Sequence, residues 1–324
     1  MRRKMLNHEA KIQRWGYFFV FPFVIVFCIF NLWPTVNTFL LSFTDLRGIQ
    51  NNFNFVGLEN FRKLVTDPFF WGALQNTFTI WGINFIPQLG IALVLAVWLS
   101  DTQLNLAGRG WFRAIIYMPN LLTAASVAIL YRSIFGFSGN ATAPANQFLQ
   151  ALNIQQTTFV NGEIVREAFN FFRSVAFSRS LVAFIQWWMW YGYTLIILMA
   201  GISSIPVELY ESAVMDGANS RQTSWHITLP LLRPVMLFIL VTSMIGGMQI
   251  FDIPFLLTDM RGSPQYKIRT TALYQYNMAF QGRVDYSYGA AVSIGIFIIT
   301  IILALIIFFL LQDRSENKIK GAAL

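Results

Sequence analysis

The sequence predicts an all-α membrane protein with six transmembrane helices and both termini on the cytoplasmic side. Hydrophobic residues make up 56% of the chain and charged residues only 12%, whereas about a quarter of residues in soluble domains are charged. Six apolar stretches contain no Asp, Glu, Lys or Arg. With flanking residues where needed, each supplies the roughly 20 residues that cross a bilayer. They are residues 15–44, 68–100, 114–131, 180–207, 234–251 and 286–312.

The first stretch resembles a signal peptide because Arg2, Arg3 and Lys4 precede it. It is charge-free from residue 15 to residue 44, which is too long for a signal core, so we expect it to be retained as a span. An even number of spans places both termini on one side. With that side cytoplasmic, the inside segments hold 12 of the 23 Lys and Arg residues, and the five leading ones decide the orientation. These five are Arg2, Arg3, Lys4, Lys11 and Arg14.

The spans divide the chain into segments with different expected surroundings. We expect a cytoplasmic N-terminal tail (1–14), a first transmembrane helix (15–44), an external loop (45–70), a core with five transmembrane helices (71–312) and a cytoplasmic tail (313–324). Residues 133–162 are also charge-free, but they are rich in amides, hydroxyls, Gly and Pro, which suits water rather than lipid. They are expected to begin an external loop over residues 137–179.

Several function classes are disfavoured by the sequence. The net charge of +8 is not gathered into a dense basic stripe, so nucleic-acid binding is not expected. GxxxxGK[ST], HExxH and GxSxG are absent, and the two histidines, His8 and His226, lie in different loops. We therefore expect neither a catalytic site nor a cofactor or metal on this chain. The lone cysteine, Cys28, is expected to be an apolar packing residue.

The segment at residues 204–233 is the richest in polar and charged side chains between spans, and on this topology it is cytoplasmic. It is expected to form two short helices with a turn. Pro206 and Glu208 suit a helix start, and Gly217 suits a left-handed helix end. Asn219 or Ser220 suits the cap of the next helix. By local pattern alone, an ordinary amphipathic connector and a docking element both remain open.

A longer pattern in this segment resembles the EAA loop of binding-protein-dependent importers of the ATP-binding cassette (ABC) class. That pattern is Glu-Ala-Ala, three residues, Gly, nine residues, Ile, one residue and Leu-Pro. This chain has Ser in place of the first Ala, and Asp216 also fits the usual context. The matching residues are Glu211, Ser212, Ala213, Asp216, Gly217, Ile227, Leu229 and Pro230.

The resemblance implies a type I ABC importer permease fold in a bacterial cytoplasmic (inner) membrane. The loop would seat in a cleft of an ATPase subunit, where Glu211 would pair with a basic residue. Implied partners are a second homologous permease, two ATPase subunits that hold ATP and Mg, and an external solute-binding protein. The motifs at 55–61, 112–119, 251–258 and 288–291 resemble the sugar branch of these permeases, which implies a carbohydrate substrate.

Polar and aromatic residues within the spans are candidates for the substrate path. Gln186, Trp190 and Tyr193 recur at i, i+4 and i+7 and so share one helical face. An amide, an indole and a phenol suit a sugar, although an interfacial aromatic belt also explains aromatic residues near the end of a span. Further candidates are Asn120, Gln249 and Asp252.

Two other function classes remain as alternatives. A secondary transporter or channel would favour buried charge pairs or broken helices in repeated halves, and no clear repeat is visible in the sequence. A membrane enzyme would need a catalytic cluster at the interface, and the sequence shows none.

Overall fold

The computed structural model describes residues 16–48, 53–100, 108–136, 143–154, 156–160, 163–282 and 284–311. The expected tails at 1–14 and 313–324 lie outside these residues. Five described helices are long and apolar enough to cross a membrane, or up to six if one bent pair of helices counts as a span.

The first part of the chain contains helices α1 to α5. They are α1 (Gly16–Leu41, with a π-helical turn at Cys28–Leu32), α2 (Glu59–Thr66), α3 (Pro68–Ser100), α4 (Arg109–Tyr117) and α5 (Ala124–Phe135). A 3₁₀ turn at Met118–Leu121 follows α4.

The second part contains a hairpin and helices α6 to α13. They are α6 (Pro144–Ala151), β1 (Gln156–Val160), β2 (Glu163–Glu167), α7 (Val175–Ser203), α8 (Val207–Met215), α9 (Ser220–Thr223), α10 (Arg233–Met248), α11 (Asp252–Leu257), α12 (Thr271–Phe280) and α13 (Tyr286–Leu311). Strands β1 and β2 pair antiparallel, from Gln156 opposite Glu167 to Val160 opposite Glu163. The sequence did not predict this hairpin or α6.

The third span expected at residues 114–131 is not one continuous helix. The helices on either side of Leu122 and Thr123 are bent by 85°. Pro119 has no backbone N–H to donate, and Leu122 and Thr123 are both extended, with ψ of 144° and 138°. The hydroxyl of Thr123 then accepts from the backbone N–H of Ser126 and caps α5. Thr123, one of the two extended residues at the break, therefore also begins the next helix.

The chain forms two compact units, of which the larger comprises residues 68–274 and 296–324. In this unit α3 packs along α7, and α10 contacts both. One buried cluster includes Ile80, Val182 and Ile253, and another includes Ala96, Leu198 and Leu232. A Cβ on Gly192 would lie 2.2 Å from the carbonyl oxygen of Ile116, so α7 and α4 meet backbone to backbone.

The smaller unit comprises residues 1–67 and 275–295. Its buried hydroxyls of Thr44 and Ser287 lie 2.7 Å apart. Asp285 accepts from the backbone N–H of Tyr288 and so caps α13, while its other oxygen lies 3.2 Å from Arg47 Nε. The backbone N–H of Asn54 donates to Asp45 and lowers the pKa of that exposed carboxyl. Polar contacts thus tie the segment after α1 to the start of α13.

Candidate functional site

A cavity of about 370 Å³ lies in the larger unit, between α3, α7 and the α10–α11 region. This volume falls in the range of small-ligand pockets, about 300–1,000 Å³. Its described lining contains amides, hydroxyls, aromatic rings and one carboxylate, and no basic residue. The polar and aromatic members are Asn84, Gln88, Gln186, Trp190, Tyr193, Thr194, Thr242, Ser243, Gln249, Phe251 and Asp252.

Five of the six candidate substrate-path residues line this cavity. Gln186, Trp190 and Tyr193 do so from α7, where the rings of Trp190 and Tyr193 meet edge to face at 5.8 Å. Gln249 and Asp252 do so from the region between α10 and α11. The helical face predicted from i, i+4, i+7 spacing is therefore turned toward a cavity.

The sixth candidate, Asn120, does not line the cavity. Its side-chain Nδ2 donates to the backbone carbonyl of Met189 at 3.2 Å. Asn120 sits in the turn that interrupts the bent helix pair, and this bond fastens the turn to α7. The structure thus gives Asn120 a supporting contact instead of a place in the lining.

A break in the helix places Gln249 and Asp252 at the cavity. Helix α10 ends at Met248 and α11 begins at Asp252, with Gln249 and Phe251 in non-helical conformations. The hydroxyls of Thr271 and Thr270 donate to the carbonyls of Met248 and Ile250 at 3.2 and 2.6 Å. These bonds satisfy backbone groups that the break frees, as membrane interiors require.

Sequence reasoning missed the contribution of α3. Asn84 and Gln88 lie one helical turn apart, and both are buried, at 6% and 5% exposure. Gln88 Nε2 donates to Thr194 Oγ1 at 2.8 Å, which links α3 to α7 beside the cavity. The available signal was a pair of amides at i and i+4 within residues 80–99, which are otherwise apolar.

The segment expected to dock a partner has the predicted local structure. Helix α8 starts after Pro206 and carries Glu208 in its first turn, and Gly217 follows with φ +79°. Asn219 caps α9 in a capping box, because its side chain accepts from Gln222 N–H while the Gln222 side chain accepts from Asn219 N–H. Both the left-handed glycine and the Asn219 cap are confirmed.

The residues of the EAA-like pattern lie in different environments. Glu211, Ser212, Asp216, Gly217 and Pro230 are exposed, Ile227 and Leu229 are partly buried, and Ala213 is buried.

Two large apolar side chains are also exposed on this segment. Met215 at the end of α8 is 86% exposed, and Trp225 is 62% exposed. The hydroxyls of Tyr210 and Thr228 lie 3.2 Å apart and join α8 to the π-helical turn Ser224–Thr228. The segment is thus internally braced, with acidic and apolar side chains facing outward.

Comparison with known families decides what kind of protein this is. The profile described as "Binding-protein-dependent transport system inner membrane component" matches residues 86–321. The chain belongs to this family. It is therefore an inner-membrane transport component rather than a catalytic subunit, and its predicted location in that membrane is confirmed.

Relatives in this family extend over most of the chain. It is 30% identical over 300 residues to a lactose transport system permease protein of Rhizobium radiobacter, covering 93% of this chain and 95% of that protein. It is 31% identical over 293 residues to an arabinooligosaccharide permease of Bacillus subtilis, covering 90% and 86% of the two chains. The predicted resemblance to sugar-branch permeases is confirmed.

A solved structure matches the fold of this family member. The crystal structure of a bacterial ABC transporter involved in import of the acidic polysaccharide alginate aligns with a TM-score of 0.73 and 23% identity. The alignment covers 95% of this chain and 98% of that one. The predicted ABC importer permease fold is confirmed.

Proposed function

We propose that this permease imports a carbohydrate, with the cavity as the substrate's path and residues 204–233 as the connection to an ATPase. The observation that carries the proposal is the cavity lining, in which amides, hydroxyls and aromatic rings from three helical regions converge. Sugars present hydroxyls that need hydrogen bonds and apolar C–H faces that stack on rings. Relatives whose names specify lactose or arabinooligosaccharides support this substrate class.

The charge of the lining favours a neutral sugar. Asp252 is the one ionisable carboxylate among the described lining residues, and no Lys, Arg or His accompanies it. An acidic sugar would meet this carboxylate without a compensating cation, and like charges repel each other. The proposed substrate is therefore an uncharged mono- or oligosaccharide.

Coupling to the ATPase is assigned to the exposed face of the 204–233 segment. Glu211 and Asp216 supply negative charge and Met215 an apolar plug for a groove on the partner. This segment faces the cytoplasm in the proposal, and ATP and Mg are bound by two ATPase subunits. A second permease and an external solute-binding protein complete the assembly.

The geometry explains how motion of this segment reaches the cavity. The segment joins the end of α7 to the start of α10, and both helices line the cavity farther along. A Cβ on Gly201 would lie 2.8 Å from Leu232 Cδ2, so α7 packs tightly on the segment leading into α10. Displacement of the docked segment then tilts two lining helices together. Closure of the ATPase dimer opens the cavity to the outside, and ATP hydrolysis resets the cavity to its starting state.

Glu211→Lys tests this proposal. The charge reversal removes the acidic group expected to pair with a basic residue of the ATPase, so ATP-dependent sugar uptake should fall to background. The variant should still insert, because Glu211 is exposed on α8. Uptake is measured in cells carrying the complete transporter, and membrane content by immunoblot. Glu211→Asp, which keeps the charge, is the matched control, and normal uptake by Glu211→Lys would refute the coupling role.

A further inference from the structure

Three polar side chains follow one another along a face of α3, and only the outer two are matched across the bundle. Trp81, Asn84 and Gln88 recur at i, i+3 and i+7 and so share a face. Trp81 Nε1 donates to Ser243 Oγ at 3.1 Å, and Gln88 Nε2 donates to Thr194 Oγ1 at 2.8 Å. Asn84 Oδ1, between them, is buried and has no hydrogen-bond partner in the described chain.

The position of Asn84 makes this unmatched oxygen significant. The residue is only 6% exposed, yet it lines the cavity that Gln186, Trp190 and Tyr193 line from α7. A buried acceptor without a donor is destabilising, and an apolar side chain of similar size avoids that cost. A carboxamide here therefore needs an explanation outside the stability of this conformation.

A hydroxyl-bearing solute provides the missing donor. The terminal torsion of an Asn side chain is broad and soft, so a small rotation turns the carboxamide toward the cavity. A sugar hydroxyl donates one hydrogen bond and needs an acceptor once it leaves water. Trp190 and Tyr193 offer rings for the sugar's C–H face from α7.

We propose that Asn84 Oδ1 accepts a hydrogen bond from a hydroxyl of the transported sugar, so that α3 contributes to substrate specificity. The inference rests on the proposed function, because it needs a sugar in the cavity. It makes Asn84 a binding residue on a helix for which the sequence pattern assigned no substrate contact.

The test is Asn84→Leu in the complete transporter, reconstituted in proteoliposomes with saturating binding protein. Lactose, maltose and arabinotriose are the probes, and the one that the wild type takes up fastest is used throughout. Loss of one neutral hydrogen bond should lower the initial uptake rate roughly two- to tenfold. The thermal midpoint should be unchanged or higher, because an unmatched buried acceptor has been removed.

Asn76→Leu is the matched control on the same helix. The Asn76 amide donates to the carbonyls of Tyr266 and Arg269 at 2.9 and 3.1 Å and accepts from Arg179 at 3.0 Å. The same substitution there breaks existing bonds, so it should lower the thermal midpoint. If Asn84→Leu lowers the midpoint as much as Asn76→Leu does, Asn84 is structural and the inference is overturned.

Monodeoxy derivatives of the chosen sugar give a readout that a structural role does not predict. The wild type should transport one derivative more slowly than the parent sugar, and Asn84→Leu should transport the two at equal rates. Asn84→Thr is the second variant, because Thr77 and Thr79 on α3 already bond to carbonyls four residues earlier and a Thr at 84 can do likewise. If both variants still transport the derivative more slowly than the parent sugar, to the same degree as the wild type, the inference is rejected and the proposed function stands. A wild-type complex that takes up none of these three and no other neutral mono- or oligosaccharide rejects the proposed function as well.

Discussion

At Gly192 two backbones meet with no room for a side chain. A Cβ there would lie 2.2 Å from the Ile116 carbonyl oxygen, which belongs to the backbone and cannot rotate away. Gly192→Ala should therefore destabilise the protein by about 1–3 kcal/mol, the usual range for overpacking. Thermal unfolding in detergent, followed by fluorescence-detected size exclusion, measures the loss.

Gly82→Ala and Gly90→Ala are the controls for Gly192→Ala. Both glycines lie within α3 and have nothing within 4 Å of an added Cβ. Ala is the better helix former by roughly 0.5–1 kcal/mol, so these variants should be as stable as the wild type or more so. A Gly192→Ala variant that unfolds together with these controls would contradict the packing argument.

Residues whose role is set by their own neighbours in sequence were predictable, and residues whose role depends on a distant helix were not. The turn at Gly217 follows from a local helix end and the cap at Asn219 from a local helix start. Gly192 has no room for a side chain only because α4 lies against α7. Asn84 Oδ1 stands out only because Trp81 and Gln88, on either side of it, bond to other helices. The spacing of residues within one helix does not reveal which other helix will pack against it.

Among elements, α9 begins at a capping box and continues directly into the π-helical turn Ser224–Thr228. The reciprocal bonds of the Asn219–Gln222 box are 2.9 Å long. Asn219→Ala should cost the segment about 1 kcal/mol, as loss of an N-cap usually does. Amide hydrogen exchange in a peptide spanning residues 219–228 should become faster, and sugar-stimulated ATP hydrolysis by the full complex should fall. Ser220→Ala leaves both box partners in place and should change neither. Unaltered exchange in Asn219→Ala would show that packing rather than capping holds this element.

The bent α4–α5 pair shows where element prediction from hydropathy stops. Residues 114–131 contain no charge, so composition alone favours one helix. A proline such as Pro119 does not by itself predict a break, because a proline inside a helix is often accommodated, as Pro87 is within the continuous α3. The two extended residues after the 3₁₀ turn produce the 85° bend, and the Asn120 bond to Met189 holds it. That bond depends on α7, which the sequence of the third stretch does not contain.

For the whole molecule, the number of bilayer crossings depends on whether the bent α4–α5 pair crosses the bilayer. Arg62 lies on α2 in the expected external loop, and Ser220 lies in the segment proposed to face the cytoplasm. Between them lie α3, the α4–α5 pair and α7. If the pair crosses the bilayer as one broken span, three crossings place Arg62 and Ser220 on opposite sides. A re-entrant pair leaves two crossings and places both residues on the same side.

Single-cysteine labelling distinguishes these topologies. The one native cysteine, Cys28, is replaced by Ser, and Arg62→Cys or Ser220→Cys is added, since both positions are exposed. In right-side-out vesicles a membrane-impermeant maleimide should label Cys at 62, and should label Cys at 220 only after lysis. Equal labelling at both positions in intact vesicles would show that the α4–α5 pair is re-entrant. The reverse pattern would show that the 204–233 segment faces away from the cytoplasm. A cytoplasmic ATPase could then not reach Glu211.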